Sequence, residues 1–144
     1  MNYLSALQIR GFEIEDYESV VDLWKSAGLI SRPGDDLEGI RMKVERDPDL
    51  FLVARDKSEM VGSLMGGWDG RRGWIYHLVV KQSYRRQGVA KALVAELESR
   101  LAKKGAKRIN AQVYTSNEAS LRFFEACGYE LRSDLIMIGK RLRG

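Results

Sequence analysis

What the chain lacks narrows its chemistry first. Among 144 residues there is one cysteine, Cys127, and one histidine, His77. A single thiol excludes an intrachain disulfide, and one Cys with one His argues against a zinc site of the Cys/His kind, so no metal is expected. No His lies near Cys127 in sequence to activate it, and within Phe123-Phe124-Glu125-Ala126-Cys127-Gly128 it reads as a small buried hydrophobe. No apolar run reaches the roughly 20 residues that span a bilayer. The start Met1-Asn2-Tyr3-Leu4-Ser5 lacks the basic flank and apolar block of a signal peptide. The expectation is a soluble, cytoplasmic protein without membrane partners. Prolines number only two, and no internal repeat or low-complexity tract appears.

What is present is an ordinary globular composition, 44% hydrophobic and 31% charged. The length favours a single domain over residues 1–144, with 1–7 as a loose extension. A domain of this size buries roughly 70% of its unfolded surface without staples. The net charge of +4 is unevenly divided: residues 1–80 sum to −4 and residues 81–144 to +8. A uniform nucleic-acid binder would not divide this way, so despite a pI near 9.3 no nucleic-acid partner is expected. One end suits an anionic ligand and the other tolerates a cation.

Along the chain, Leu7, Ile9 and Gly11-Phe12 read as a first strand. A helix from Glu15 to Ala27 follows, with Tyr17, Val20, Val21 and Trp24 as its apolar stripe and Gly28 as its stop. The turn cluster Ser31-Arg32-Pro33-Gly34-Asp35-Asp36 leads to a helix from Asp36 to Arg46, closed by Asp47-Pro48. Its thin apolar face, Leu37, Ile40, Met42 and Val44, puts it at an edge, where a substrate lid would be found. Strands over 51–54, 60–66 and 74–80 form an antiparallel meander. From Gly88 to Lys104 the positions Val89, Ala90, Leu93, Val94, Leu97 and Leu101 keep helical spacing. A strand over 107–114 makes this a βαβ unit with a parallel pair. A helix over 117–127, N-capped by Asn117, and strand material at Leu135-Ile136-Met137-Ile138 complete the reading. The fold class is α/β (α+β): a mixed central sheet, antiparallel first and parallel later.

Between the strand at 74–80 and the helix after it lies Arg85-Arg86-Gln87-Gly88-Val89-Ala90. A strand feeding a glycine turn and a helix start presents unpaired backbone N–H groups at the positive end of the helix dipole. That is a phosphate site. A helix-entry turn without a ligand explains one glycine, but not the adjacent cationic and amide side chains.

The stretch fits a pattern of Arg or Gln, two variable residues, Gly, one variable residue, then Gly or Ala. With Val80-Lys81-Gln82-Ser83-Tyr84 ahead of it and Asn117-Glu118-Ala119-Ser120-Leu121-Arg122-Phe123-Phe124-Glu125 and Gly128-Tyr129 after it, the chain resembles the GNAT superfamily of acyl-coenzyme A dependent N-acetyltransferases over about residues 8–142. The resemblance implies a sheet whose parallel strands splay at the cofactor site, with acetyl-CoA as cosubstrate. It assigns the coenzyme A pyrophosphate to the N–H groups of Arg86, Gln87, Gly88, Val89 and Ala90, with added charge from Arg85 and Arg86. The pantetheine arm would pair with Leu78, Val79 and Val80, and Asn117 and Phe124 would flank the sulfur. The backbone N–H of Leu78 would be the oxyanion donor.

The side chains that would move protons depart from the pattern. The tyrosine many relatives use as thiolate acid falls at Phe124, which has no proton to give, and glutamates used as bases fall near Trp74 or Gln112. Tyr114, Tyr76 and Tyr129 are substitute acids, but each reads more simply as a core or surface aromatic. His77 is attractive as a base, yet strand alternation puts it on the face opposite Tyr76 and Leu78, which favours a structural or exposed histidine. The expected function is acetyl transfer to a primary amine, a small molecule or a protein amino group, by direct attack with water-relayed proton loss. Asp35, Asp36, Glu38 and Asp69 either bind such a cation or are ordinary turn acids. The alternative is a coenzyme A binding module with weak or no catalysis. A monomer or a homodimer fits either.

Overall fold

The computed structural model describes residues 6–29 and 31–143, in two units, Met1–Ala111 and Gln112–Gly144. Residues 1–5 of the expected N-terminal extension lie outside the described residues, and Leu7 already belongs to a strand.

In the first unit β1 (Leu7–Gly11), β2 (Phe51–Asp56), β3 (Glu59–Trp68), β4 (Gly73–Val80) and β5 (Ile109–Ala111) lie in that spatial order. The first four pair antiparallel. β5 runs parallel to β4 through Gly73↔Ile109, Trp74↔Asn110 and Ile75↔Ala111. It is much shorter than the expected 107–114.

Phe51-Leu52-Val53-Ala54 is buried on both faces, which requires cover on both sides of the sheet. Neighbouring β3 residues show what supplies it. A Cβ on Gly62 would lie 3.1 Å from both Leu93 and Val89 of α3 (Val89–Lys104), whereas the next residue, Ser63, accepts a 3.0 Å hydrogen bond from the indole of Trp24 on α1 (Tyr17–Ser26). Successive strand residues face opposite ways, so α3 covers one face and α1 the other. On the α1 face Phe12, Val20, Leu23, Trp24, Ile40, Phe51, Val53, Met60 and Val79 form a buried cluster, with Phe12 and Phe51 stacked at 4.3 Å. Each such side chain contributes roughly 1.5–3 kcal/mol by leaving water.

The helices hold two corrections. A 3-10 turn at Ile14–Asp16 precedes α1, and the fully buried stripe is Val20, Leu23 and Trp24, with Tyr17 and Val21 only half-buried. α2 (Leu37–Arg46) is an edge helix: Ile40 is buried, while Leu37 and Met42 are exposed. The Asp36 carboxylate caps it through the Gly39 N–H at 2.9 Å.

In the second unit α4 (Glu118–Ala126) is capped by Asn117, whose side-chain oxygen accepts from the Ser120 N–H at 3.1 Å. Phe124 is buried and meets Phe123 and Tyr129 edge-on, both at 5.2 Å. Cys127 is half-buried. The expected strand at Leu135-Ile136-Met137-Ile138 does not form, and these side chains are exposed, Ile138 by 88%. β-propensity describes a side chain that fits a pleated surface; the ladder itself needs a neighbouring strand, and the second unit by itself contains none among its described residues.

Candidate functional site

β4 is irregular at its centre. Met65 pairs with Tyr76 and Ser63 with Val79, so Leu64 opposes two residues, His77 and Leu78. This is a β-bulge, and His77 adopts φ +48°, a left-handed value that costs a non-glycine residue about 1 kcal/mol or more. The bulge overturns the expected placement of His77. A Cβ on Gly67 would approach Tyr76 at 3.3 Å and Lys43 of α2 at 3.8 Å, which puts Tyr76 on the face covered by α1 and α2. The His77 ring meets Trp24 of α1 at 5.0 Å and 68°, so both side chains share one face. Alternation fails because the extra residue resets it.

His77 is also paired. Its Nε2 lies 3.0 Å from Oδ1 of Asp35, in the loop between α1 and α2. The other oxygen of Asp35 accepts from the Arg32 N–H at 2.8 Å, and the Asp35 carbonyl accepts from the Tyr17 hydroxyl at 3.5 Å. The His77 side chain is 20% exposed and that of Asp35 9%.

The β4–β5 ladder ends at Ile75↔Ala111, so within the described residues of the first unit no strand lies beside the outer edge of β4 from Tyr76 to Val80. The chain then passes through a 3-10 turn at Gln82–Tyr84 to Gly88, the N-cap of α3. Arg86 (φ +63°) and Gly88 (φ +87°) are both left-handed, which turns successive N–H groups inward in the manner of an anion nest. The Gly88 carbonyl accepts the first helical bond, from Ala92 at 3.0 Å, and no side chain caps the helix. The N–H groups of Val89, Ala90 and Lys91 are therefore donors without an intrahelical partner. This donor set fits a pyrophosphate. The loop's longer side chains bond inward: Gln87 Nε2 to the Ser83 carbonyl at 3.0 Å, Arg85 Nε to the Val80 carbonyl at 3.3 Å.

Long-range bonds hold this loop in place. The Tyr84 hydroxyl donates to Asp56 at 2.6 Å and Lys81 pairs with Glu59, both acids at the β2–β3 hairpin. The bond to Asp56, with partial burial and the charges of Asp56 and Glu59, pushes the Tyr84 phenol up to about 12. A hollow of about 280 Å³ beside the loop is lined by Val80, Lys81, Gln82, Ser83 and Arg85 together with Ser26 and Ala27 from the end of α1. Ser26, Ala27, Asp56 and Glu59 carry no local sequence signal of this role, because each lies more than 20 residues from the loop.

The remaining candidates separate. Asp69 accepts from the N–H groups of Arg71 and Arg72 and from the Trp74 indole. The Arg72 N–H, the Trp74 indole and the Arg71 N–H hold it down to about 2. Its lone pairs close the β3–β4 turn, as those of Asp36 cap α2. Burial, with Asp69 nearby, raises the Tyr76 phenol, whose ring stacks on Trp74 at 6.5 Å. Asn117, Phe124 and Tyr129 belong to the second unit, as does Tyr114, which is exposed.

A family model described as the acetyltransferase (GNAT) family matches residues 15–129. An acetyltransferase of Sodalis glossinidius is 43% identical over 137 residues, 94% of this chain and 96% of that protein. Among solved structures, Ard1 from Thermoplasma volcanium has a TM-score of 0.80 at 23% identity, covering 89% of this chain and 85% of that one. The PaiA N-acetyltransferase of Thermoplasma acidophilum, in complex with coenzyme A, has a TM-score of 0.73 at 22% identity, covering 88% and 91%. The mixed sheet agrees with the fold of both. Sequence match and architecture coincide over most of the chain, which belongs to the acetyltransferase (GNAT) family.

Proposed function

We propose that this chain is an N-acetyltransferase that passes the acetyl group of acetyl-coenzyme A to a primary amine by direct attack in a ternary complex. The observation that carries the reading is the juxtaposition on β4: an edge from Tyr76 to Val80 that no described strand of the first unit covers, a bulge within it, and an uncapped helix start immediately after it. The N–H groups of Arg86, Gln87, Gly88, Val89 and Ala90 bind the pyrophosphate, with help from the α3 dipole and the charges of Arg85 and Arg86. Leu78, Val79 and Val80 offer backbone groups to an extended pantetheine arm, as a sheet edge does to an added strand. Arg85 gives up its long bond to the Val80 carbonyl when that carbonyl pairs with the arm. Leu78 lies in the bulge, and its N–H is the donor for negative charge developing on the acetyl oxygen.

At neutral pH an alkylamine is uncharged in about one molecule in a few thousand, so proton removal is a substantial part of the barrier. The acceptor is a small amine or a protein amino group.

Acetyl-coenzyme A at a hundredfold excess over its Kd is expected to raise the melting temperature by about 5–10 °C. Gly88→Trp, which blocks the loop and cannot hold its φ without strain, is expected to abolish the rise. No rise in the unaltered protein at millimolar ligand would sink the reading. Thiol release across a panel of amines and basic peptides separates an enzyme from a coenzyme A binding module, which would release none.

A further inference from the structure

We infer that His77, held by Asp35, is the base that removes the proton of the attacking amine. The inference rests on the acetyltransferase reading and deepens it, because nothing in the family pattern of this sequence supplies a base. Three observations converge on His77. The bulge turns its ring onto the same face as Tyr76, one residue from the N–H of Leu78. Asp35 engages Nε2 at 3.0 Å, so Nε2 carries the proton and Nδ1 keeps its lone pair. Trp24 packs at 5.0 Å and is itself fixed by its buried bond to Ser63, while 20% of the His77 side chain remains open to solvent. A left-handed histidine with a partly buried carboxylate partner is a costly arrangement for a merely structural residue.

The protons and electrons balance as follows. The ammonium loses one proton to water before attack. The neutral nitrogen then bonds to the acetyl carbon and gives a second proton to Nδ1. The C–S bond breaks, its electron pair leaves with sulfur, and the imidazolium returns its proton to the thiolate. Asp35 is the positioning residue: it fixes the tautomer and stabilises the transient imidazolium. Asp35 comes from the α1–α2 loop, while Trp24 of α1 packs on the ring and Ser63 of β3 holds that indole, neither of them charged. The next titratable groups on this face are Tyr76 on β4, Tyr17 on α1, bonded to the Asp35 carbonyl, and Lys43 on α2, paired with Asp47 at 2.7 Å.

The test uses the full chain and the best amine of the panel, with kcat and KM measured from acid to alkaline pH. His77→Asn is the informative variant, because Asn tolerates a left-handed φ and keeps the bulge. It is expected to lower kcat about 100- to 1000-fold. The acidic limb of the kcat profile is expected to change to the one set by the amine's own ionisation, while the KM for acetyl-coenzyme A and the ligand-induced melting shift stay within about twofold of the unaltered protein. Asp35→Asn is expected to lower kcat less and to displace the same limb. If His77→Asn does not fold, that displacement in Asp35→Asn decides. An active protein whose His77→Asn variant keeps both its kcat and its acidic limb overturns the role of His77 and leaves the acetyltransferase reading standing. An unaltered protein that binds acetyl-coenzyme A and acetylates no amine overturns both.

Discussion

Asp16 is a charge kept inside by its partners. Its carboxylate receives both guanidinium nitrogens of Arg10 at 2.7 and 2.9 Å and the Glu13 N–H at 2.9 Å, with Arg55 at 3.6 Å. Burial pushes its pKa up, but the Arg10 bonds, the Glu13 N–H and the charges of Arg10 and Arg55 together outweigh this and leave it below the usual carboxylate range. Removing it strands Arg10 half-buried, so Asp16→Ala is expected to cost about 2–3 kcal/mol in urea unfolding. Single residues such as this one were the least legible from sequence. Asp69 read equally well as a cation site or a turn acid until its three donors were seen. Partners decide such roles, and local sequence does not name partners.

At the scale of elements, close packing sets the requirements. A Cβ on Gly66 would lie 2.4 Å from Leu97 Cδ1 of α3 and 2.9 Å from the Leu50 carbonyl. Leu97 is fully buried and the carbonyl belongs to the backbone, so neither yields easily. Gly66→Ala is expected to cost about 1–3 kcal/mol, read as a lower urea midpoint at unchanged slope. Gly39 holds a similar position, where a Cβ would lie 2.2 Å from the Gly34 carbonyl oxygen, next to Asp35. Periodicity and turn residues placed β1 to β4 and the four helices within a few residues, because amphipathic spacing and caps are written locally. They missed the bulge, where Ser63, Leu64 and Met65 meet one residue too many, and they proposed a strand at 135–138 that does not form.

The whole molecule links these parts to pH. Asp16 has a folded pKa below its unfolded one, so its stabilisation is fully present above about pH 4 and fades as pH falls through the folded value. Stability measured by urea unfolding, followed by circular dichroism, is expected to fall less steeply below about pH 4 in Asp16→Asn than in the unaltered protein. Among the described residues no helix is long and apolar enough to cross a membrane. The basic second part of the chain, +8 over residues 81–144, contains the loop proposed to hold a pyrophosphate.

The loop from Arg85 to Ala90 was legible in the sequence because everything it needs is local: a strand before it, a left-handed glycine, and a helix dipole after it. Family membership followed from that motif and the order of its neighbours. The proposed site of proton transfer was not legible. His77 and Asp35 are 42 residues apart, and a bulge created by pairing with β3 chooses the face on which they meet. Strand alternation is a property of a chain by itself, whereas a bulge is a property of two strands in register, and only the folded sheet contains it.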